Sequence, residues 1–323
     1  MNYRIVIRNA WELTQTQKRL IMWYGFIPSL LTTLVGILYV SYQIVATYKT
    51  PYFSGKEQKS FLREVIEMII TFVKTHHDLG LFLIIVSAVI LVLYLLLPTL
   101  CRGALIQLTT RIQNNQKIRI RDGLTYGLFS FLPLLEYHLL IKSFSVGAIL
   151  VEAAFIFRNL GIGWFQTLFF PFLLFAFIGL ILSLLFTYAD YFIVIDKQPV
   201  FSSIIQSSKL VLLQWQATFL IVILMTLITI RIIFNILLVL VIPAIILIPA
   251  GYIATKTLAI IGFIFGLVIG VVALFFAAYF GAILEVFTTA VWVNTFLALT
   301  TKGEVSAREI GVTVSALDHG NSA

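Results

Sequence analysis

The chain has 323 residues, of which 60% are hydrophobic and only 11% are charged, and its formal net charge is +8. A soluble domain carries about 25% charged residues, so this composition excludes a soluble globular protein. The basic residues lie at the ends of apolar runs, which is typical of positive-inside anchoring and argues against a nucleic-acid partner.

Six apolar runs are long enough for transmembrane helices, which need roughly 20 residues to cross about 30 Å of hydrocarbon. The predicted spans are TM1 (20–46), TM2 (79–101), TM3 (131–154), TM4 (166–190), TM5 (215–236) and TM6 (257–281). We therefore predict an all-α fold: a polytopic integral membrane helical bundle with about six transmembrane helices. One transmembrane domain is expected over 1–302, followed by a disordered cytoplasmic tail over 303–323.

Lys and Arg are distributed unevenly between the two sides of these spans. The termini and the loops after TM2 and TM4 carry thirteen basic residues, whereas the opposite loops carry seven. Basic residues favour the cytoplasmic side of a membrane. The count predicts a multi-pass protein of the cell membrane with both termini in the cytoplasm.

Amphipathic stretches precede three of the spans. In VFSSIIQSSKLVLL (200–213), Phe201, Ile205 and Leu212 share an apolar face, and serines, Gln206 and Lys209 share the other. Such a stripe is typical of a helix lying in the headgroup plane. Similar stripes occupy 5–20 and 120–130. These stretches predict three repeats, each an interfacial helix followed by a transmembrane hairpin, near 3–112, 118–197 and 199–300.

Two further segments depart from the hairpin pattern. An amphipathic stripe over 61–75 predicts another surface helix, in the first external loop. The segment 236–252 is apolar but short, and Pro243 and Pro249 interrupt it. Its length leaves two alternatives open, a re-entrant segment or part of a span.

Three stretches resemble a known family. GALIQLTTRIQNNQKIRIRDGLTYGLFSFLPLL joins a helix end bearing glycine to an amphipathic helix, TYADYFIVIDKQPVFSSIIQSSKLV adds an acidic turn, and FGAILEVFTTAVWVNTFLAL resembles the usual ending. Together they look like the membrane domain of bacterial glycerophosphoryl diester phosphodiesterases and its stand-alone, YciC-like inner-membrane relatives of unknown function. The resemblance implies a helical bundle without a reaction, because the phosphodiesterase chemistry belongs to a soluble barrel domain that is missing here.

Polar side chains form stripes on TM3 and TM4. Ionisable groups at membrane depth usually face the bundle interior and pair with one another. The predicted intramembrane polar network comprises His138, Lys142, Ser145, Glu152, Ser183, Thr187, Asp190 and Glu285. The stripes are compatible with structural pairing or with a polar pathway, and pairing is the preferred interpretation.

TM6 carries a ridge of small residues, which let helix backbones approach closely. The ridge consists of Gly262, Gly266, Gly270, Ala273, Ala277 and Gly281. It predicts packing within the bundle, with a homodimer or a protein partner as the alternative.

Catalytic and metal-binding patterns are weak. His76 and His77 are adjacent, His138 stands alone, and neither HExxH nor CxxC occurs. We expect no catalytic site, metal or cofactor. The sequence favours a non-enzymatic membrane protein, a scaffold or envelope-maintenance factor whose partners are membrane lipids. The alternative is a small-solute transporter or channel that uses the stripes on TM3 and TM4.

Overall fold

The structure is a computed structural model, and it describes residues 3–48, 61–116, 119–142, 146–160, 162–231 and 259–320. All regular secondary structure within these ranges is helical, which confirms the predicted all-α class.

The helices follow one another in this order: α1 (Tyr3–Thr16), α2 (Ile27–Tyr48), α3 (Phe61–Thr75), α4 (His77–Gln113), α5 (Asp122–Lys142), α6 (Val146–Leu160), α7 (Ile162–Leu185), α8 (Ala189–Val194), α9 (Val200–Leu213), α10 (Trp215–Arg231) and α11 (Ala259–Gly320). A single helical turn, Lys18–Leu20, and a π-helix, Ile21–Phe26, lead into α2.

Five helical segments in the described part of the chain are long and apolar enough to cross a membrane. They are Lys18–Thr47, His77–Gln113, Asp122–Ile141, Gly163–Leu185 and Val268–Thr300. A sixth arises if α9 and α10, which are bent by 96° at Gln214, count as one span. The multi-pass architecture of apolar helices therefore agrees with the sequence, while the count of six depends on this bent pair.

The regions around TM3 and TM4 differ from the predicted boundaries. The stretch 120–130 is not a separate interfacial helix, because α5 runs without interruption from Asp122 to Lys142. The helical segment predicted as TM3 is divided between α5 and α6, and α7 ends at Leu185, before the predicted end of TM4. The threefold repeat therefore stays a prediction.

Other predicted segments have mixed outcomes. The surface helix expected over 61–75 is present as α3, and the helix expected over 200–213 is present as α9. The backbone of α11 continues as helix to Gly320. The disordered tail over 303–323 stays a prediction. The segment 236–252 lies outside the described residues.

The buried core lies at one end of the long helices. In α4, large side chains before Pro98, such as Leu81 and Phe82, are exposed, whereas Ala104, Leu105 and Leu108 are buried. The same end buries residues of α1, the π-helix, α8 and α11. The opposite halves of these helices expose large apolar side chains. Such surfaces suit contact with the hydrocarbon tails of lipids.

Candidate functional site

A cluster of charged side chains joins four helices within this core. Arg102 on α4 donates from Nε to Asp190 Oδ2 on α8 at 2.5 Å and from Nη1 to Glu285 Oε1 on α11 at 3.3 Å. His138 Nε2 on α5 lies 3.4 Å from Asp190 Oδ1. We name these four residues the ion cluster. Because its members come from distant parts of the chain, the cluster ties α4, α5, α8 and α11 together.

Asp190 reaches the cluster because the chain breaks its helix just before it. α7 ends at Leu185, a turn follows, and Asp190 stands in the first turn of α8. Ser207 on α9 holds this turn: its hydroxyl donates to Leu185 O at 2.7 Å and accepts the backbone N–H of Tyr188 at 3.0 Å. On the other side, Tyr137 donates its hydroxyl to Phe186 O at 3.0 Å. The interruption in the apolar sequence is therefore a buried, hydrogen-bonded turn between α7 and α8, which we call the joint.

The electrostatics of the cluster favour a charged Asp190, which lies beyond the end of the candidate span that finishes at Leu185. Burial raises the pKa of Asp190, but the charge of Arg102 and the proximity of His138 outweigh burial and hold this pKa below its usual range. Oδ1 accepts no hydrogen bond of regular geometry from the described residues, although His138 is near enough to form an ion pair when its ring is protonated. Asp190 thus depends chiefly on Arg102.

Two cavities adjoin the ion cluster. The larger has a volume of 630 Å³ and the smaller a volume of 440 Å³. Both are lined by Thr32, Pro98, Thr99, Arg102 and His138, so they share a wall. Such volumes fall within the range of about 300–1,000 Å³ that small-molecule sites occupy.

Comparison with protein families, curated proteins and solved structures finds no match. The relation to the phosphodiesterase membrane domains and their YciC-like relatives therefore stays a prediction.

The structure brings together three residues of the predicted polar network: His138, Asp190 and Glu285. Three other members of the network have different surroundings. Glu152 and Ser183 are exposed, and Thr187 donates its hydroxyl to carbonyl groups of its own turn. The side chain of Lys142, and Ser145 as a whole, lie outside the described residues.

The small-residue ridge of TM6 is only partly packed. At Gly281 an added Cβ would lie 2.4 Å from Ser29 Oγ, which marks a close contact with α2. At Gly270 no atom of the described residues lies within 4 Å of that position, and Ala273 and Ala277 are partly exposed. The side-chain surroundings of Gly262 and Gly266 are outside the described part. The most buried face of α11 is the neighbouring one, formed by Ala278, Ala282, Val286 and Ala290.

Sequence reasoning missed Arg102, the centre of the cluster, because it counted this residue only as a topological charge. A signal was present in the similarity of RGALIQL (102–108) to FGAILEV (280–286), because each stretch carries one charged residue, Arg102 in the first and Glu285 in the second. Gln107, in the same stretch, also contacts α8, since its side-chain amide donates to Val194 O.

The described residues contain no group of three His, Cys, Asp or Glu side chains arranged to hold a metal ion. The chemistry that the arrangement offers is electrostatic: one guanidinium placed between two carboxylates, with an imidazole beside one of them.

Proposed function

We propose that the chain is a non-enzymatic integral membrane scaffold of the cell membrane, with both termini in the cytoplasm. The observation that carries this proposal is the mutual pairing of the ionisable groups in the described core. Arg102 contacts Asp190 and Glu285, and Asp190 is nearly inaccessible, with 4% of its surface exposed. Charges that satisfy one another in a low-dielectric interior favour one arrangement of helices, which is the requirement of a scaffold.

The second candidate function is transport of a small solute, and the two cavities beside Arg102 favour it. A pathway also needs polar groups that continue across the membrane. Glu152 and Ser183 are exposed, and neither lines the two cavities, which supports the scaffold over the transporter.

The proposed partners follow from the surface of the bundle. α9 exposes Phe201, Ile205 and Leu212 on one side, which suits contact with membrane lipid. No described residue covers the ridge at Gly270, and this stretch suits contact with a second copy or another membrane protein. A role in maintaining the cell envelope, as a relative of the phosphodiesterase membrane domains, belongs to the same proposal.

Reconstitution into liposomes separates the two functions. For a scaffold we expect no permeation above that of protein-free liposomes when ions, sugars and amino acids are tested by osmotic shrinkage and tracer uptake. The comparison is made with wild type and Asp190→Asn, with Glu152→Gln as the control carboxylate. Saturable uptake by wild type that Asp190→Asn abolishes, at an unchanged unfolding temperature, would establish transport and refute the scaffold.

A further inference from the structure

Two carboxylates and one guanidinium line the two cavities in the described part of the chain. The ionisable lining groups among these residues, apart from tyrosines and Cys101, are Arg102, His138, Asp190 and Glu285. A guanidinium is always protonated in proteins, and both carboxylates contact it. Two carboxylates therefore face one guanidinium, which leaves one carboxylate charge in excess of the guanidinium charge.

The excess negative charge is located at Glu285. Asp190 has a 6% exposed side chain and is held by both Arg102 and His138. The side chain of Glu285 is 45% exposed and has one contact with Arg102, at 3.3 Å. Glu285 is also the carboxylate that lines the smaller cavity. Its remaining oxygen surface is accessible to a cation from the smaller cavity.

The walls of the two cavities differ in polarity. Beyond the shared wall, the larger cavity is lined mainly by Leu95, Leu96, Leu135, Leu139 and Ile141, together with the rings of Tyr94 and Tyr137. Asp190 also lines it, but its side chain is only 6% exposed and is paired with Arg102. The smaller cavity adds the hydroxyl-bearing residues Ser29 and Thr33 beside Glu285. One cavity thus suits an apolar chain, and the other suits a polar head.

We propose that the joined cavities bind an amphipathic monocation, a molecule with one ammonium group and one alkyl chain. The ammonium group lies in the smaller cavity against Glu285, and the chain occupies the larger cavity. An anionic amphiphile is disfavoured, because two carboxylates already oppose the charge of Arg102. This binding site goes beyond the scaffold and does not depend on it.

Equilibrium dialysis tests the proposal with the full-length protein in nanodiscs of zwitterionic lipid. The probes are radiolabelled tetradecyltrimethylammonium, tetradecyl sulfate and tetradecanol, which share a chain and differ in charge. We expect saturable binding of the cation, with one molecule per protein, above the partitioning into protein-free nanodiscs. Saturable binding of the sulfate, or equal binding of all three probes, would overturn the proposal.

Two variants locate the site. Glu285→Gln removes the excess charge from a half-exposed position and should weaken binding of the cation by about tenfold or more. Thr32→Trp places a large ring at the shared wall without changing the charge, and it should also weaken binding. Glu152→Gln, an exposed carboxylate outside both cavities, should bind as wild type does. Unfolding temperatures verify that all variants are folded, and wild-type affinity in both Glu285→Gln and Thr32→Trp would contradict the assignment.

Discussion

Ser207 illustrates how one hydroxyl stabilises a break in an apolar helix. The end of α7 leaves backbone groups without helical partners, and such groups must find other partners inside a membrane protein. The Ser207 hydroxyl satisfies two of them, Leu185 O and the N–H of Tyr188, and it is itself fully buried. Its neighbour Ser208 donates to Ile204 O within its own helix.

Ser207→Ala should therefore destabilise the protein by about 1–3 kcal/mol, because it leaves two buried backbone groups unpaired. Ser208→Ala is the matched control and should change stability by no more than about 0.5 kcal/mol. The free energy of unfolding is measured in detergent for both variants. Equal effects of the two substitutions would show that Ser207 does not hold the joint.

At the residue scale the sequence predicted part of the site. Asp190 is identifiable because an acidic residue interrupts an apolar run, and such residues usually face the interior. Arg102 is not identifiable in the same way, since a basic residue at the end of a span already has a topological explanation. Its partners are 88 and 183 residues away in sequence, and no local pattern reports contacts over such separations.

Glycines govern the packing of one element, α5, against α4. An added Cβ at Gly127 would lie 2.5 Å from Leu100 O, a backbone atom that cannot rotate away. At Gly123 it would lie 2.5 Å from a methyl group of Leu108 and 2.7 Å from the hydroxyl of Tyr24. This close approach packs one face of the first turns of α5 against α4, while Leu124 and Leu128 on the other side are exposed.

Gly127→Ala should destabilise the bundle by about 1–3 kcal/mol, because the new methyl group forces the two helices apart. Gly36→Ala on α2 meets no atom within 4 Å and should stabilise the protein slightly, by up to about 1 kcal/mol, through helix propensity. Unfolding titrations in detergent measure both changes. A neutral Gly127→Ala variant would contradict the close packing of α4 and α5.

The periodicity of an amphipathic stripe predicted where helices form but not what covers each face. α9 has the predicted bounds, yet its buried face contains Ser203 and Ser207 as well as Val200 and Val211. Phe201 on the opposite side is exposed. The serine hydroxyls can be buried because backbone carbonyl groups accept from them, and hydropathy alone does not encode such partners.

For the whole molecule, composition was sufficient to predict an apolar helical bundle, since segments without charge must be covered by lipid or protein. The position of the core at one end was not predictable, because both halves of α4 are apolar. Packing separates them: Leu81 is exposed, and Leu105 is buried.

The orientation of α4 gives a prediction at this scale. Asp78 and Asn115 lie near opposite ends of the helix, separated by about 55 Å at 1.5 Å per residue. In a Cys101→Ala background, Asp78→Cys should react with an impermeant thiol reagent in intact cells, whereas Asn115→Cys and Gln198→Cys should react only after permeabilisation. Labelling of Asn115→Cys or Gln198→Cys from outside would reverse the orientation.

The central claim is that the ion cluster holds the bundle together, and Arg102 is its centre. Removing the guanidinium leaves two carboxylates without their main partner, so Arg102→Met should lower the free energy of unfolding by about 3–5 kcal/mol. Replacing Arg102, Asp190 and Glu285 together by Met, Leu and Leu should restore most of that loss, because apolar packing substitutes for a buried pair. Lys209→Met, on the exposed side of α9, is the control for loss of a positive charge.

Chemical unfolding of these three variants and wild type in detergent is the most direct measurement. The account predicts a large loss for Arg102→Met, recovery in the triple variant and little change for Lys209→Met. An Arg102→Met protein as stable as wild type would contradict it.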